Sequence, residues 1–234
     1  MLTRRKFCSC LLGSIPIATT PVFGAALECE VFTNERQQKT STTEAIDRLK
    51  QGNERFVKGH SINCDLMRQV QETADGQSPF AAIVGCIDSR VPPEIIFDQR
   101  IGDVFCARVA GNFVNDDILG SIEYATAVAG AKAIVVLGHS SCGAIKSAVD
   151  DVKMGHITDM LANITPALET LNDADGERNS KNKSLVQKVA EQNAIITANS
   201  MTSRSPLLKD LYQRGDLIIV PAMHDVKTGN VIWL

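Results

Sequence analysis

Four short, uninterrupted apolar runs constrain the fold of this chain more than any other feature of its sequence. Strands without polar alternation are buried on both faces, which is typical of parallel strands covered by helices. Segments with helical periodicity separate the runs, and this alternation indicates an α/β architecture. We therefore predict an α/β fold with a mostly parallel central sheet of four to five strands flanked by helices. The strand runs are residues 80–87, 104–109, 133–137 and 217–220.

The predicted helices begin with an N-terminal helical arm. Residues 42–59 carry apolar side chains at helical spacing, and Thr43 is a candidate N-cap for this helix. A shorter helix is expected around Met67 and Val70, and a short strand over residues 231–234. Further helices are predicted over residues 116–129, 142–152, 158–171 and 185–200.

The first 26 residues have the layout of an export signal. A basic start that contains Arg4 and Arg5 precedes Phe7, and an apolar stretch over residues 11–23 is followed by small residues. The paired arginines resemble the twin-arginine signal. Two prolines interrupt the apolar stretch, which argues against a membrane anchor. We expect cleavage after Ala26 and export by this route, to the periplasm or otherwise out of the cytoplasm. The alternative is a basic N-terminus followed by an apolar helical turn.

The remaining chain divides into two parts. Residues 27–41 are polar and lack periodicity, so we interpret them as a linker or arm, and residues 42–234 as one domain. A hydrophobic fraction of 44% with 22% charged residues argues against intrinsic disorder. The formal charge of −3 argues against a nucleic-acid partner, because such binders carry a clear basic excess.

Two polar clusters follow the first and third predicted strands. Cys86 and Asp88 end one strand, and His139 and Cys142 follow the other. In open α/β sheets, ligands bind at the carboxyl ends of the strands, so the two clusters are expected to meet. Each residue alone is ordinary, because single cysteines are usually core residues. Together, two thiolates, an imidazole and a carboxylate predict one zinc ion per chain.

The same residues carry a family resemblance. Residues 86–92, Cys-Ile-Asp-Ser-Arg-Val-Pro, and residues 139–143, His-Ser-Ser-Cys-Gly, resemble the signature of β-class carbonic anhydrases. The similarity extends from about Thr43 to the C-terminus and includes residues 102–105 and 108–112. It implies that the chain interconverts carbon dioxide and bicarbonate, releasing a proton in the hydration direction.

The resemblance also implies roles for individual residues. Cys86, His139 and Cys142 would ligate zinc, and Asp88 would either be a fourth ligand or pair with Arg90 and leave that position to water. Two thiolates nearly cancel the zinc charge, so we expect a second group to help hold a zinc-bound hydroxide. A carboxylate held by an arginine could accept its hydrogen bond and orient the nucleophile. The alternative interpretation of this pair is a structural salt bridge.

A substrate pocket and an oligomer are implied in the same way. Gln77 corresponds to a substrate-binding amide of plant-type members, and Phe105 and Tyr124 correspond to aromatic walls contributed across a dimer interface. We therefore expect a homodimer or homotetramer. Some members have a separate inhibitory bicarbonate site that needs a tryptophan. The only tryptophan here is Trp233, near the end of the chain, so we place the chain in the plant-like, open-site group.

The same sequence allows three other interpretations of its function. A carbon disulfide or carbonyl sulfide hydrolase would use the same site with restricted access. A non-catalytic protein would use zinc only to stabilise the fold, in a closed site with four ligands that does not need Arg90. Redox sensing is disfavoured because no Cys-x-x-Cys pair is present.

The seven cysteines are too few for a disulfide scaffold. Two of them, Cys8 and Cys10, would leave with the signal, and two would bind zinc. Cys106 lies in an apolar run and is expected in the core. Cys29 and Cys64 remain, and we hypothesise that they pair in an oxidising compartment.

Overall fold

A computed structural model describes residues 29–172 and 175–234, so the predicted signal lies outside the described residues. Its centre is a five-stranded sheet. The strands are β1 (Ala81–Gly85), β2 (Val104–Arg108), β3 (Ala133–His139), β4 (Ile218–His224) and β5 (Val231–Trp233). Their order is β2-β1-β3-β4-β5. Four strands run parallel and β5 is antiparallel to β4, which confirms the predicted mostly parallel sheet.

Helices cover both faces of the sheet. None in the described part of the chain is long and apolar enough to cross a membrane. A π-helical turn, Tyr124–Val128, continues α5. The α-helices are α1 (Asn34–Lys39), α2 (Thr42–Val57), α3 (Leu66–Glu72), α4 (Pro93–Ile96), α5 (Asp116–Glu123), α6 (Gly143–Val149), α7 (Gly155–Ala162), α8 (Thr165–Leu168), α9 (Lys183–Arg204) and α10 (Pro206–Gln213).

Alternate residues of the central strands enter two separate cores. On β1, Ala82 and Val84 pack into the core beneath α5, α6 and α9, whereas Ala81 and Ile83 pack into the core that contains α2. Every residue of β1 and β3 is buried. This two-sided burial is the physical reason why their sequences lack polar alternation. The residues of the edge strand β2 are only partly buried.

Helix boundaries differ from the sequence prediction where capping decides them. The N-cap of α2 is Ser41, not Thr43, because Ser41 and Glu44 form a reciprocal capping box. Residues 34–39, part of the segment interpreted as a linker or arm, form α1. The prediction omitted α10, although Ser205 caps it and Pro206 occupies its first position, a combination that favours a helix start.

A disulfide joins the N-terminal arm to the segment that precedes α3. Cys29 and Cys64 are bonded, as hypothesised from the sequence. Beside this bond lies the Asp98 cluster, which we define as Arg55, Asp98 and Arg100. The Asp98 carboxylate accepts hydrogen bonds from Arg55 Nε at 2.5 Å and Arg100 Nη1 at 3.0 Å, and Arg100 Nε lies 3.1 Å from Cys64 Sγ. The carboxylate is buried and fully paired.

Candidate metal centre

Three metal-binding side chains lie at the carboxyl ends of β1 and β3. Cys86 follows β1, His139 ends β3, and Cys142 is the N-cap of α6. Because β1 and β3 are parallel neighbours, these ends lie side by side. The two sulfur atoms are 4.0 Å apart, and all three ligand atoms lie within 4.8 Å of one another. All three residues are buried.

The local backbone is shaped to bring the two thiols together. Ser141 has a φ of 57°, a left-handed conformation that few residues other than glycine adopt, and it turns the chain between His139 and Cys142. Across the site, the backbone N–H of Gly111 donates to Cys86 Sγ at 3.4 Å. Gly111 has a φ of 86°, a left-handed conformation that favours glycine at this position.

The hydrogen bonds of His139 leave one ring nitrogen available for a metal. Its Nδ1 lies 3.0 Å from the carbonyl oxygen of Ser140. A carbonyl oxygen can only accept, so we assign the proton to Nδ1 and the lone pair to Nε2. Nε2 is buried and has no hydrogen-bond partner among the described residues. Buried polar atoms rarely lack a partner, so a buried Nε2 with a lone pair fits a metal-ligating role.

The two thiols differ in acidity because they share a proton. The Cys142 thiol donates to Cys86, and this hydrogen bond, together with that from the Gly111 N–H, lowers the pKa of Cys86 to about 4. The same hydrogen bond, together with burial and the charge on Cys86, raises the pKa of Cys142. A divalent cation would displace the shared proton, because metals bind the thiolate form.

Asp88 is paired with Arg90 at the mouth of the site. Arg90 Nε donates to Asp88 Oδ1 at 2.9 Å, and Arg90 Nη2 donates to Oδ2 at 2.7 Å, so the pair is bidentate. These bonds hold the pKa of the Asp88 carboxyl well below its usual range. Asp88 Oδ2 lies 3.9 Å from His139 Nε2. The carboxylate is therefore ionised and close to the metal-ligand nitrogen of His139.

Arg108 is a site residue that the sequence analysis missed. From the end of β2, its Nε donates to the Cys86 carbonyl oxygen at 2.8 Å, and its Nη2 donates to the Asp88 carbonyl oxygen at 2.7 Å. These two hydrogen bonds fix the backbone that carries the metal ligand Cys86 and the carboxylate of Asp88. The available signal was a cation that interrupts the apolar run 104–109.

The donor set fits zinc. Two cysteine thiolates and one imidazole nitrogen are soft and borderline ligands, which favour zinc over magnesium or calcium. The unpartnered His139 Nε2 and the proton shared by the two thiols fit a cation at this position. Three protein ligands with a further position available are typical of catalytic rather than structural zinc sites.

Of the three residues expected to bind substrate, two lie together in the single chain and the third lies apart from them. Phe105 and Tyr124 line one cavity of about 550 Å³ beside the exposed edge of β2. Gln77 is exposed in the loop before β1 and does not line this cavity. Their assignment to a substrate pocket remains a prediction, because it depends on a second subunit.

Comparison with known proteins identifies relatives along most of the chain. A family model described as carbonic anhydrase matches residues 81–231. The carbonic anhydrase of Mycolicibacterium smegmatis is 45% identical over 190 residues, covering 78% of this chain and 88% of the relative. Carbonic anhydrase 2 of Mycobacterium tuberculosis is 35% identical over 199 residues, covering 82% and 93%.

The fold is also similar to a solved structure. A tetrameric β-carbonic anhydrase from the ascomycete Sordaria macrospora superposes with a TM-score of 0.63 at 28% identity, covering 70% of this chain and 84% of that one. The resemblance inferred from Cys86, His139 and Cys142 is thus supported by sequence and by fold. The chain belongs to the β-class carbonic anhydrases, a family of zinc-dependent lyases.

Proposed function

We propose that this chain hydrates carbon dioxide reversibly to bicarbonate and a proton, with Asp88 and Arg90 as its catalytic pair. The observation that carries the proposal is the bidentate Asp88–Arg90 pair, 3.9 Å from a metal-ligand nitrogen. When bound by Cys86, His139 and Cys142, zinc would supply the Lewis acidity that makes water a stronger acid. The protein residues would then orient the reactants.

Asp88 acts as a fixed hydrogen-bond acceptor in this proposal. Its low pKa keeps it ionised at neutral pH, and Arg90 occupies both of its oxygens from one side. The carboxylate would accept a hydrogen bond from the attacking oxygen and direct a lone pair toward carbon dioxide. Because Asp88 is engaged with Arg90, we place it outside the metal's ligand set and the chain in the plant-like, open-site group.

We also propose that two copies assemble through the edge of β2. This edge has no neighbouring strand in the described chain, and Phe105 and Tyr124 lie beside it. The Sordaria macrospora relative is tetrameric. A dimer, or a tetramer built from dimers, would allow Phe105, Tyr124 and Gln77 to form a pocket for carbon dioxide or bicarbonate. Light scattering of the purified protein tests this, and a monomer with full activity would contradict it.

Export is the third part of the proposal. Residues 1–26 would direct the folded chain to the periplasm through the twin-arginine route, leaving residues 27–41 as an arm before the domain 42–234. The Cys29–Cys64 disulfide supports an oxidising compartment. Fractionation of cells that express the chain tests this, with Arg4→Lys and Arg5→Lys combined as the comparison. Unchanged export of the double variant would contradict the route.

Replacing Arg90 tests the catalytic assignment. In Arg90→Ala, Asp88 loses the partner that holds it, so we expect hydration to fall about 100-fold or more while zinc content is retained. Stopped-flow hydration and metal analysis measure the two quantities, and Arg214→Ala, an exposed arginine paired with Asp216, is the matched control. Unchanged hydration activity together with unchanged zinc content would contradict the catalytic role of the Asp88–Arg90 pair. Parallel assays with carbon disulfide distinguish the hydrolase alternative.

A further inference from the structure

Ser140, which holds His139, is itself bound by the C-terminal hairpin that β4 and β5 form. Ser140 accepts the Nδ1 proton of His139 on its carbonyl oxygen, as described above. Its backbone N–H donates to the His224 carbonyl oxygen at 2.9 Å, at the end of β4. Its hydroxyl donates to Asp225 Oδ1 at 3.1 Å and accepts the N–H of Val226 at 3.0 Å. Ser140 is therefore bound to this hairpin at three points.

The turn that binds Ser140 is held by further hydrogen bonds. Asp225 Oδ1 also accepts the backbone N–H of Lys227 at 2.9 Å, and Oδ2 accepts the Thr228 hydroxyl at 3.0 Å. Asn53 of α2 anchors the far side of the turn, donating to the Gly229 carbonyl at 2.9 Å and accepting the N–H of Val231 at 2.9 Å. A continuous set of hydrogen bonds thus connects α2, the turn and Ser140.

These contacts determine the orientation of one peptide group. The Ser140 carbonyl can meet His139 Nδ1 only if the peptide between Ser140 and Ser141 keeps its present rotation. On one side, the left-handed Ser141 fixes this peptide, and on the other the Asp225 carboxylate fixes Ser140. Hydrogen-bond partners of a ligating histidine set its tautomer and ring orientation.

We propose that Ser140 and Asp225 are positioning residues for the metal: they hold the Ser140 carbonyl against His139 Nδ1 and so present Nε2 to the ion. Loss of the Ser140 hydroxyl removes two of the hydrogen bonds that hold this residue to the turn and leaves the Val226 N–H without its partner. Changes to such supporting residues typically reduce metal affinity about 10- to 100-fold. The inference rests on zinc binding at the site described above.

The test compares two serines with the same local chemistry. Like Ser140, Ser205 donates its hydroxyl to a carboxylate, Glu123, at 2.5 Å and accepts a backbone N–H, from Leu208, at 3.1 Å, but it caps α10 away from the metal centre. Ser140→Ala and Ser205→Ala should therefore lower the melting temperature by similar amounts. Only Ser140→Ala should weaken zinc binding.

Zinc affinity is measured from the zinc-loaded protein by competition with a chelator, and the absorption spectrum of the cobalt-substituted protein reports ligand geometry. We expect Ser140→Ala and Asp225→Ala to weaken zinc about 10- to 100-fold and to shift the cobalt bands. Ser140→Thr and Asp225→Asn keep the hydroxyl and the Oδ1 acceptor, so both should stay within about threefold of the unmodified chain.

Two results would overturn the inference. One is an unchanged zinc affinity in Ser140→Ala despite a loss of melting temperature equal to that of Ser205→Ala. The other is a loss in Ser140→Thr as large as in Ser140→Ala. Failure of the unmodified chain to bind zinc would instead overturn the proposed function, so the two failures are distinguishable.

Discussion

The metal centre and the Asp98 cluster contain similar residues but leave them in different states. Each has a carboxylate paired with arginine, and each lies beside two cysteines. At the Asp98 cluster, the two nearby cysteines are bonded to each other, and the carboxylate is paired with two arginines. At the metal centre, the sulfur atoms stand 4.0 Å apart and His139 Nε2 has no hydrogen-bond partner. Unsatisfied groups therefore distinguish the functional cluster from the structural one.

The largest effect should follow from removing a metal ligand. We expect Cys142→Ser to abolish zinc binding and carbon dioxide hydration, because a hydroxyl cannot replace the thiolate in this donor set. Metal analysis and stopped-flow hydration check this. Cys106→Ser, which changes a free cysteine outside the ligand group, is the control, and it should retain both properties. Zinc retained at full occupancy in Cys142→Ser would contradict the assigned ligand set.

A substitution in the Asp98 cluster should reduce the stability of the fold rather than zinc binding. Asp98→Ala leaves Arg55 and Arg100 without their shared carboxylate, and breaking a buried ion pair costs about 3–5 kcal/mol of unfolding free energy. Zinc affinity should stay unchanged. Urea unfolding monitored by circular dichroism measures the loss. Asp47→Ala, which removes an exposed partner of Lys50, should cost less than about 1 kcal/mol. Equal losses in both variants would show that the cluster is not structural.

The Cys29–Cys64 disulfide should contribute slightly less to the free energy of unfolding than the ion pairs of Asp98. It closes a loop with a sequence separation of 35 residues, which corresponds to about 3–4 kcal/mol in the chain-entropy model. We expect the Cys29→Ser/Cys64→Ser chain to unfold at a lower urea concentration but to bind zinc normally. Added reductant should destabilise the unmodified chain and leave the double variant unaffected. If reductant shifts both chains equally, another thiol is responsible.

The smallest expected effect is a pH dependence of stability that comes from Asp103, which lies beside the Asp98 cluster. Burial, which outweighs the Arg100 N–H and the nearby arginines, raises the pKa of Asp103 to about 6. The folded state therefore binds this proton more tightly than the unfolded state. Its contribution to stability is greatest below pH about 4 and is lost as the pH rises to about 6, by at most about 3 kcal/mol.

Asp103→Asn isolates this contribution. Asparagine keeps an acceptor for the Arg100 N–H but does not titrate, so the difference in unfolding free energy between the two chains should change between pH 4 and 6. Urea unfolding at several pH values measures it. A constant difference across this interval would show that Asp103 does not titrate there.

The sheet and the ligand group were predictable because they depend on local patterns. The uninterrupted apolar runs correctly indicated strands buried on both faces, and the topology placed Cys86 near His139 and Cys142. The supporting contacts were not predictable in this way. Arg108 acts across 20 to 22 residues, and Asp225 meets Ser140 only because β4 lies beside β3. Such contacts depend on the assembled sheet and leave little trace in sequence periodicity.

The Ser140–Asp225 contact has a consequence for synthesis of the chain. The two residues are 85 positions apart. At a translation rate of about 5–20 residues per second, the ligand loop is made roughly 4 to 17 seconds before the turn that holds it. During that interval, residues 139–142 emerge from the ribosome without the turn that binds Ser140. The contact of Ser140 with Asp225 therefore forms only when the chain is nearly finished.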